Sequence, residues 1–336
     1  MNTTQTNRLR VISQADLLEL DVPRRRPLLG SWLTERHPSL IYAQTGRGKS
    51  LFVMSLAIAL AGGGKVYGWE AEEPRKVLYV DAEMDLADIK DRDRFLLTAI
   101  EGVDEGALGQ NLTILARHHQ EPTVEFPDIF DEVGEKRLLK VIAEQRPALV
   151  VLDNLSTLAN IEDENAASAF NPLLGTLTKL RSMNCAVILV HHTGKAEGKF
   201  RGSSKLATTF ESVVELGKHD ECGPDETGFV VSFDDKFRGP KASKPRKMKV
   251  KLDVDEVGNA NWIVTETEDS KLYELVRLVE TMAFSSQDDL AGELGVTKGT
   301  ISKWKVRAVQ AGLISDHYWK ACLDAAADDV QDSEDF

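Results

Sequence analysis

From Ser39 onward the chain alternates between short apolar runs and longer stretches of helical period. SLIYA (39–43), KVLYVDA (76–82), NLTILA (111–116), ALVVLD (148–153) and CAVILVH (185–191) are β-rich and almost unbroken in apolar character. Helix-period segments at 49–62, 86–100, 133–145 and 168–183 separate them. Strands apolar on both faces, joined through helices, predict an α/β fold with a mostly parallel central sheet covered on both sides. After about residue 210 the pattern changes. FESVVEL, GFVVSFD, RKMKVKLDVD and NWIVTET read as shorter strands joined by turns, a β extension of the same sheet.

The ends read differently. Residues 1–38 form an irregular arm with one short helix near Gln14–Leu20, and Arg24-Arg25-Arg26 reads as a solvated turn before a proline. The strand–helix pattern with its β extension spans 39–265, and TETEDS (265–270) is a polar linker. Beyond it lies a helical unit, 271–322, in which SKLYELVRLVETM, SSQDDLAGELGV and TKGTISKWKVRAVQAGLI make three helices. Residues 323–336 are acidic, with six carboxylates and no basic residue in DAAADDVQDSEDF, and read as a disordered tail.

Composition narrows the picture. The 336 residues are 42% hydrophobic, ordinary for a chain with a real core. A net charge of −13 excludes a basic nucleic-acid coat, so any contact with nucleic acid needs a local basic patch. Cys185, Cys222 and Cys322 are too few and too scattered for a disulfide framework or a zinc site, which fits a reducing cytoplasm. The first residues lack the apolar core of a signal peptide, and LFVMSLAIALA is about half of a bilayer span. No membrane association is expected.

The chemistry starts at A-Q-T-G-R-G-K-S, 43–50, between a strand and a helix. That is the setting of a phosphate-binding loop, with Ala43 where glycine is usual. Backbone N–H groups of Ala43, Thr45, Gly46, Arg47, Gly48, Lys49, Ser50 and Leu51 would surround the phosphates of ATP at a helix N-terminus. Lys49 would reach the β- and γ-phosphates, and Ser50 would hold Mg²⁺. Asp153 closes the apolar run ALVVLD beside this loop and would hold the same metal. Glu83, just past the second strand, is placed to activate water; Asp81 is a rival base, and Asp85 is an alternative helix-start charge. His191 and His192 end VILVHH. A shared metal there lacks a third ligand, and strand neighbours point to opposite faces.

Taken in order, AQTGRGKS, YVDAEM, VVLDNLSTL with IEDENA, LVHHTGK and RGSSKLA resemble RecA-like ATPases of the RepA type. These are hexameric replicative helicases of plasmids and their phage and genomic-island relatives. The resemblance covers roughly residues 11–265. It implies Glu83 as catalytic base, His192 as γ-phosphate sensor, and a ring, of six subunits in that family, with ATP between protomers. DDKFRGPK (234–241) is similar to the Lys-x-Arg-x-Gly-Pro segment of DnaB-like helicases. That match implies that Lys236 and Arg238 reach the neighbour's γ-phosphate; Arg201 is a second candidate finger or a DNA-loop contact.

The resemblance also implies channel loops. STLANIEDENAAS is acidic and a poor DNA contact, whereas TGKAEGKFRGSSK carries Lys195, Lys199, Arg201 and Lys205, suited to tracking single-stranded DNA. KFRGPKASKPRKMKVK, 236–251, has eight basic residues and no acid, the strongest local positive run, expected to meet nucleic acid or a neighbour's ATP. The C-terminal spacing L-A-x-E-L-G-V-T-K-G-T-I-S-K-W is similar to the helix-turn-helix of winged-helix proteins. Leu290, Ala291, Leu294, Val296, Ile301 and Val306 would be its core, and Gly295 its tight turn. Lys298, Thr300, Ser302 and Lys303 would face duplex DNA, and AGLISDHYW would begin a wing. Such units also dock proteins. The final SEDF is similar to acidic, Phe-ending tails that bind replication partners, or is a solubilising end. An ATP-switched DNA-binding regulator or helicase loader, and a filament-forming recombination mediator, stay open beside the helicase.

Overall fold

In the computed structural model, which describes residues 11–160, 170–192, 209–223, 225–240 and 243–334, nine strands make one sheet. The chain enters through an exposed helix, α1 (Gln14–Glu19), capped by the Ser13 hydroxyl, and a small hairpin, β1 (Pro27–Leu29) with β2 (Leu33–Thr34). Residues 11–38 are therefore not simply an irregular arm. Leu28, Leu29, Trp32 and Leu33 of the hairpin are buried in the main core. Arg25 is not a solvated turn residue either, because its guanidinium pairs with Glu211 at 2.5 Å.

The five apolar runs become β3 (Pro38–Ala43), β6 (Val77–Asp81), β7 (Leu112–Ala116), β8 (Leu149–Asp153) and β9 (Ala186–His192). A hairpin of β4 (Lys65–Val66) and β5 (Trp69–Glu70) lies between the first two. The helices expected between them are α2 (Lys49–Gly62), α3 (Leu86–Leu97), α5 (Glu132–Gln145) and α7 (Asn171–Ser182), with short α4 (Glu105–Asn111) and α6 (Leu155–Leu158). Four later strands, β10 (Ser212–Lys218), β11 (Gly228–Phe237), β12 (Met248–Val254) and β13 (Ala260–Glu266), extend the sheet. The spatial order is β13-β12-β11-β10-β3-β9-β8-β6-β7. Pairing is parallel from β10 to β7 and antiparallel from β10 to β13.

This order corrects one expectation. Asp153 is not on the strand next to the phosphate loop, because β9 lies between β3 and β8. Register still gathers the strand ends: Ala43 stands opposite His192, and Asp81 opposite Asp153. One end of the parallel sheet thus collects the loop after β3 and the polar residues that close β6, β8 and β9.

The helix after the loop anchors that end in the core. Every residue of α2 from Phe52 to Gly62 is buried, so the apolar run is a core helix. Full burial of side chains such as Phe52, Leu56 and Ile58 contributes about 2 kcal/mol each. Its one interior polar side chain, Ser55, donates to the Leu51 carbonyl at 2.9 Å and accepts from the Trp262 indole at 3.1 Å. Trp262 belongs to β13, so the antiparallel extension is locked onto the helix that carries the loop.

The C-terminal unit departs from expectation in three places. TETEDS is not a free linker: β13 runs to Glu266 and α8 (Glu268–Glu280) starts two residues later, with the Thr267 hydroxyl bonded to the Lys247 carbonyl. The two helices expected from the spacing are α9 (Gln287–Glu293) and α10 (Lys298–Gln310). Their core takes Leu290, Ala291 and Ile301, with Leu294 and Val296 packed against it, but Val306 is 55% exposed and Trp304 and Ala308 fill that face. No wing follows among the described residues. Residues 316–319 of the expected wing start, and the tail as far as Glu334, form one helix, α11 (Asp316–Glu334), which buries Trp319 and Cys322. Among the described residues no helix is long and apolar enough to cross a membrane.

Candidate functional site

The loop after β3 turns on two glycines. Gly46 (φ 80°) and Gly48 (φ 78°) are left-handed, a conformation that penalises any residue with a Cβ. The turn points the backbone of 44–48 at the N-terminus of the 14-residue helix α2, whose first N–H groups have no partner within the helix. Lys49 is 5% exposed. Its ammonium donates to the carbonyls of Ala43 at 3.1 Å and Gln44 at 2.9 Å. Burial pushes the Lys49 amine down to about 8, and the carboxylates of Asp153 and Glu83 oppose that shift.

Asp153 is buried at the end of β8. The Tyr79 hydroxyl donates to it at 2.7 Å. Burial raises the Asp153 carboxyl to about 6; the Tyr79 and Ser50 hydroxyls pull it down, and the charges of Asp81 and Glu83 push it up. A buried carboxylate crowded by two other acids, near a helix-start hydroxyl that lowers its pKa, is an oxygen donor set that fits a hard divalent cation beside phosphates.

The two acids of the second strand have separated tasks. Asp81 accepts from the backbone N–H groups of Glu83 at 2.9 Å and Met84 at 2.7 Å, and so shapes the turn after β6. Burial raises its carboxyl. Asp85 caps α3 by accepting from the Ala87 N–H at 3.0 Å, so the helix-start charge is Asp85. Glu83 is exposed, and its Oε2 accepts from the Asn154 side-chain amide at 2.5 Å. His192 lies across from Ala43, with Nδ1 3.4 Å from the Thr45 hydroxyl. His191 is fully buried against the Phe170 ring, with centroids 6.5 Å apart. The two histidines do not form one site.

Other sequence candidates lie elsewhere. Lys236 pairs in register with Val213, and Phe237 with Ser212, which in turn stands opposite Ser39. Lys236 and Arg238 are therefore at the end of the sheet opposite the chain's own loop. The Arg238 N–H donates to the Glu211 carbonyl at 2.9 Å. Burial, then the Arg238 charge, lowers the Lys236 amine. Lys195, Lys199, Arg201 and Lys205 lie outside the described residues. In the basic run 236–251 four cations have acidic partners: Lys244 pairs with Asp234, Arg246 with Glu266 and Glu274, Lys249 with Glu221, and Lys251 with Glu226. On α10, Lys298 pairs with Asp288, Ser302 with Gln287, and Thr300 with Thr297, while Lys303 is exposed.

Sequence reasoning missed Tyr79 and Asn154. Both carried a signal: Tyr79 is two residues before Asp81 on the same strand face, and Asn154 directly follows Asp153. It also missed a cavity of about 270 Å³ beside the loop, between Arg47 and Gly46 on one side and Lys218, His219 and Glu226 on the other.

Fold and site together define a P-loop ATPase: a glycine loop and lysine entering a buried helix, with hydroxyl and carboxylate donors at neighbouring strand ends. The chain belongs to a family described as AAA domain, whose pattern matches residues 4–198. Among solved structures it is similar to a KaiC-like protein from the hyperthermophilic archaeon Pyrococcus horikoshii OT3. That match has 17% identity and a TM-score of 0.47, over 72% of this chain and 99% of that one. No curated protein matches the chain.

Proposed function

We propose that this ATPase is a DNA motor, a ring-forming replicative helicase of a plasmid, phage or other mobile element, similar to the RepA type. The position of Lys236 and Arg238 carries the reading. Cations at the far end of the sheet from their own loop meet a terminal phosphate only when a second copy presents one. A head-to-tail contact of that kind repeats, and closes into a ring if its rotation allows.

Within each site the loop and Lys49 bind the phosphates of ATP. Ser50 and Asp153 would hold Mg²⁺, which supplies charge neutralisation on the phosphate oxygens. Glu83, held by the Asn154 amide, orients a water and accepts its proton as the water oxygen attacks the terminal phosphorus and the bond to the β-phosphate oxygen breaks. His192, touching Thr45 of the loop, couples the γ-phosphate to the chain that follows β9. The neighbour's Lys236 and Arg238 neutralise charge on the transferring phosphoryl group, with Arg201 as a further donor. Lys195, Lys199 and Lys205 track single-stranded DNA. The energy drives translocation and strand separation, and the acidic C-terminal end is a docking segment for replication proteins.

The helix-turn-helix favours a second reading, an ATP-switched regulator or loader that holds one duplex site through Lys298, Thr300, Ser302 and Lys303. A forked duplex separates the two. The helicase releases the displaced strand in the presence of ATP and Mg²⁺ and not with a non-hydrolysable analogue. Tight binding of one duplex sequence with no strand release would support the regulator.

A further inference from the structure

We propose a second anion site, at the end of the sheet opposite the phosphate loop, that takes a nucleoside phosphate. It needs only the cavity described below and stands apart from the helicase reading.

A cavity of about 890 Å³ opens where β6 and β8 begin. Its volume lies in the range of small-molecule sites. In a chain of net charge −13, six of its seventeen lining residues are basic and one, Glu35, is acidic. Arg75 is neutralised by Glu35 at 3.1 Å and Glu73 at 2.6 Å, and Arg26 lies 3.9 Å from Glu73. Among the described residues Arg24, Arg36, Lys76 and Arg146 have no acidic partner. They come from four separate segments and converge on one space. Like charges gathered this way repel each other unless an anion joins them.

The backbone adds a second observation. Arg36 (φ 60°) and Arg146 (φ 52°) are left-handed, as is Asn184 (φ 63°) in the same wall. Arg146 ends α5 at the position where glycine is usual, with its N–H on the Ile142 carbonyl at 2.8 Å. The helix dipole favours a cation near that terminus, but it does not require an arginine in the one conformation glycine adopts most cheaply. Non-glycine residues in this region cluster at functional sites.

The ligand class follows from the donors. Guanidinium groups bind phosphate in a bidentate fork, and four partnerless cations exceed what one phosphate needs, so the ligand carries two or more anionic groups. Pro74, Pro147 and Met183 supply flat apolar wall, and Asn184 an amide, for a base and its edge. A free nucleotide and the phosphorylated end of a strand share this chemistry.

Binding is measured on full-length protein carrying Lys49→Ala, which silences the phosphate loop. The probes are ATP, a short 5′-phosphorylated single-stranded oligonucleotide, and the same oligonucleotide without its phosphate. The reading expects binding of ATP or of the phosphorylated oligonucleotide, weakened by salt. Adding Arg36→Gly and Arg146→Gly should weaken it roughly ten-fold or more, because charge-assisted bonds are lost. The same pair should leave the melting temperature unchanged or raise it, since glycine suits both backbone positions. Binding of ATP alone assigns the site to free nucleotide; binding of the phosphorylated oligonucleotide alone assigns it to a strand end. No binding of any probe, or binding indifferent to the two glycines, overturns the proposal. So does a change of oligomeric mass in the glycine variant without probe binding, which would make the cavity a contact for an acidic segment of a neighbouring copy.

Discussion

Glu83→Gln is expected to lower ATP turnover by about 10²–10⁴-fold, the usual contribution of a positioned general base, while ATP affinity stays within about a factor of two. The substitution keeps the shape and the contact with the Asn154 amide region but removes the acceptor for the water's proton. Glu83 is exposed, so no buried charge is stranded. Asp81→Asn provides the contrast. Asp81 accepts from two backbone N–H groups that form the turn carrying Glu83, so its loss should act through the turn and the melting temperature. Nucleotide affinity from fluorescence titration and turnover from phosphate release separate the two outcomes. If Asp81→Asn, and not Glu83→Gln, abolished turnover in a stable protein, the roles of the two acids would be exchanged.

The second large effect concerns two inactive variants that restore each other. Arg238→Ala is expected to lower turnover by about 10³–10⁵-fold, as loss of a trans arginine does in phosphoryl transfer. Lys49→Ala removes the ammonium that faces the phosphates. If Arg238 acts from the neighbour, a ring mixed from equal amounts of the two contains intact interfaces: the loop from an Arg238→Ala protomer meets the cation from a Lys49→Ala protomer. Random mixing makes about a quarter of interfaces intact, and turnover should recover to about that fraction of the wild type. Recovery is measured after exchange of subunits at concentrations that favour assembly. Turnover that stays at the level of the separate variants would place Arg238 outside the neighbour's site.

Much of the parallel sheet and one half of the site were legible because their signals are local. Apolar runs such as ALVVLD and CAVILVH, and the loop AQTGRGKS between strand and helix, fix their own elements within a few residues. The hairpin at 27–34 was not legible, since strands of three and two residues are too short to show a period; its Trp32 is buried by partners far along the chain. The missing wing has a local cause read with hindsight of burial. ACLDAAADDV is rich in alanine and favours helix, and Trp319 and Cys322 recur three apart on the face that packs into the small core. Charge was the least legible property. The run 236–251 looks strongly basic in sequence, yet acids from outside its basic positions, Asp234, Glu221, Glu226, Glu266 and Glu274, pair with four of its eight cations. Conversely, Arg24, Arg36, Lys76 and Arg146 are scattered through the sequence and meet only in the fold.

The central claim is that ATP hydrolysis is coupled to DNA. The measurement that tests it most directly is the rate of phosphate release by the purified protein with Mg²⁺, in the presence and absence of single-stranded DNA. A DNA motor is expected to hydrolyse ATP several-fold faster with single strands, with the stimulation declining as salt rises, because phosphate contacts release counterions. A rate unchanged by single-stranded DNA across salt concentrations at which the protein binds ATP would contradict the motor.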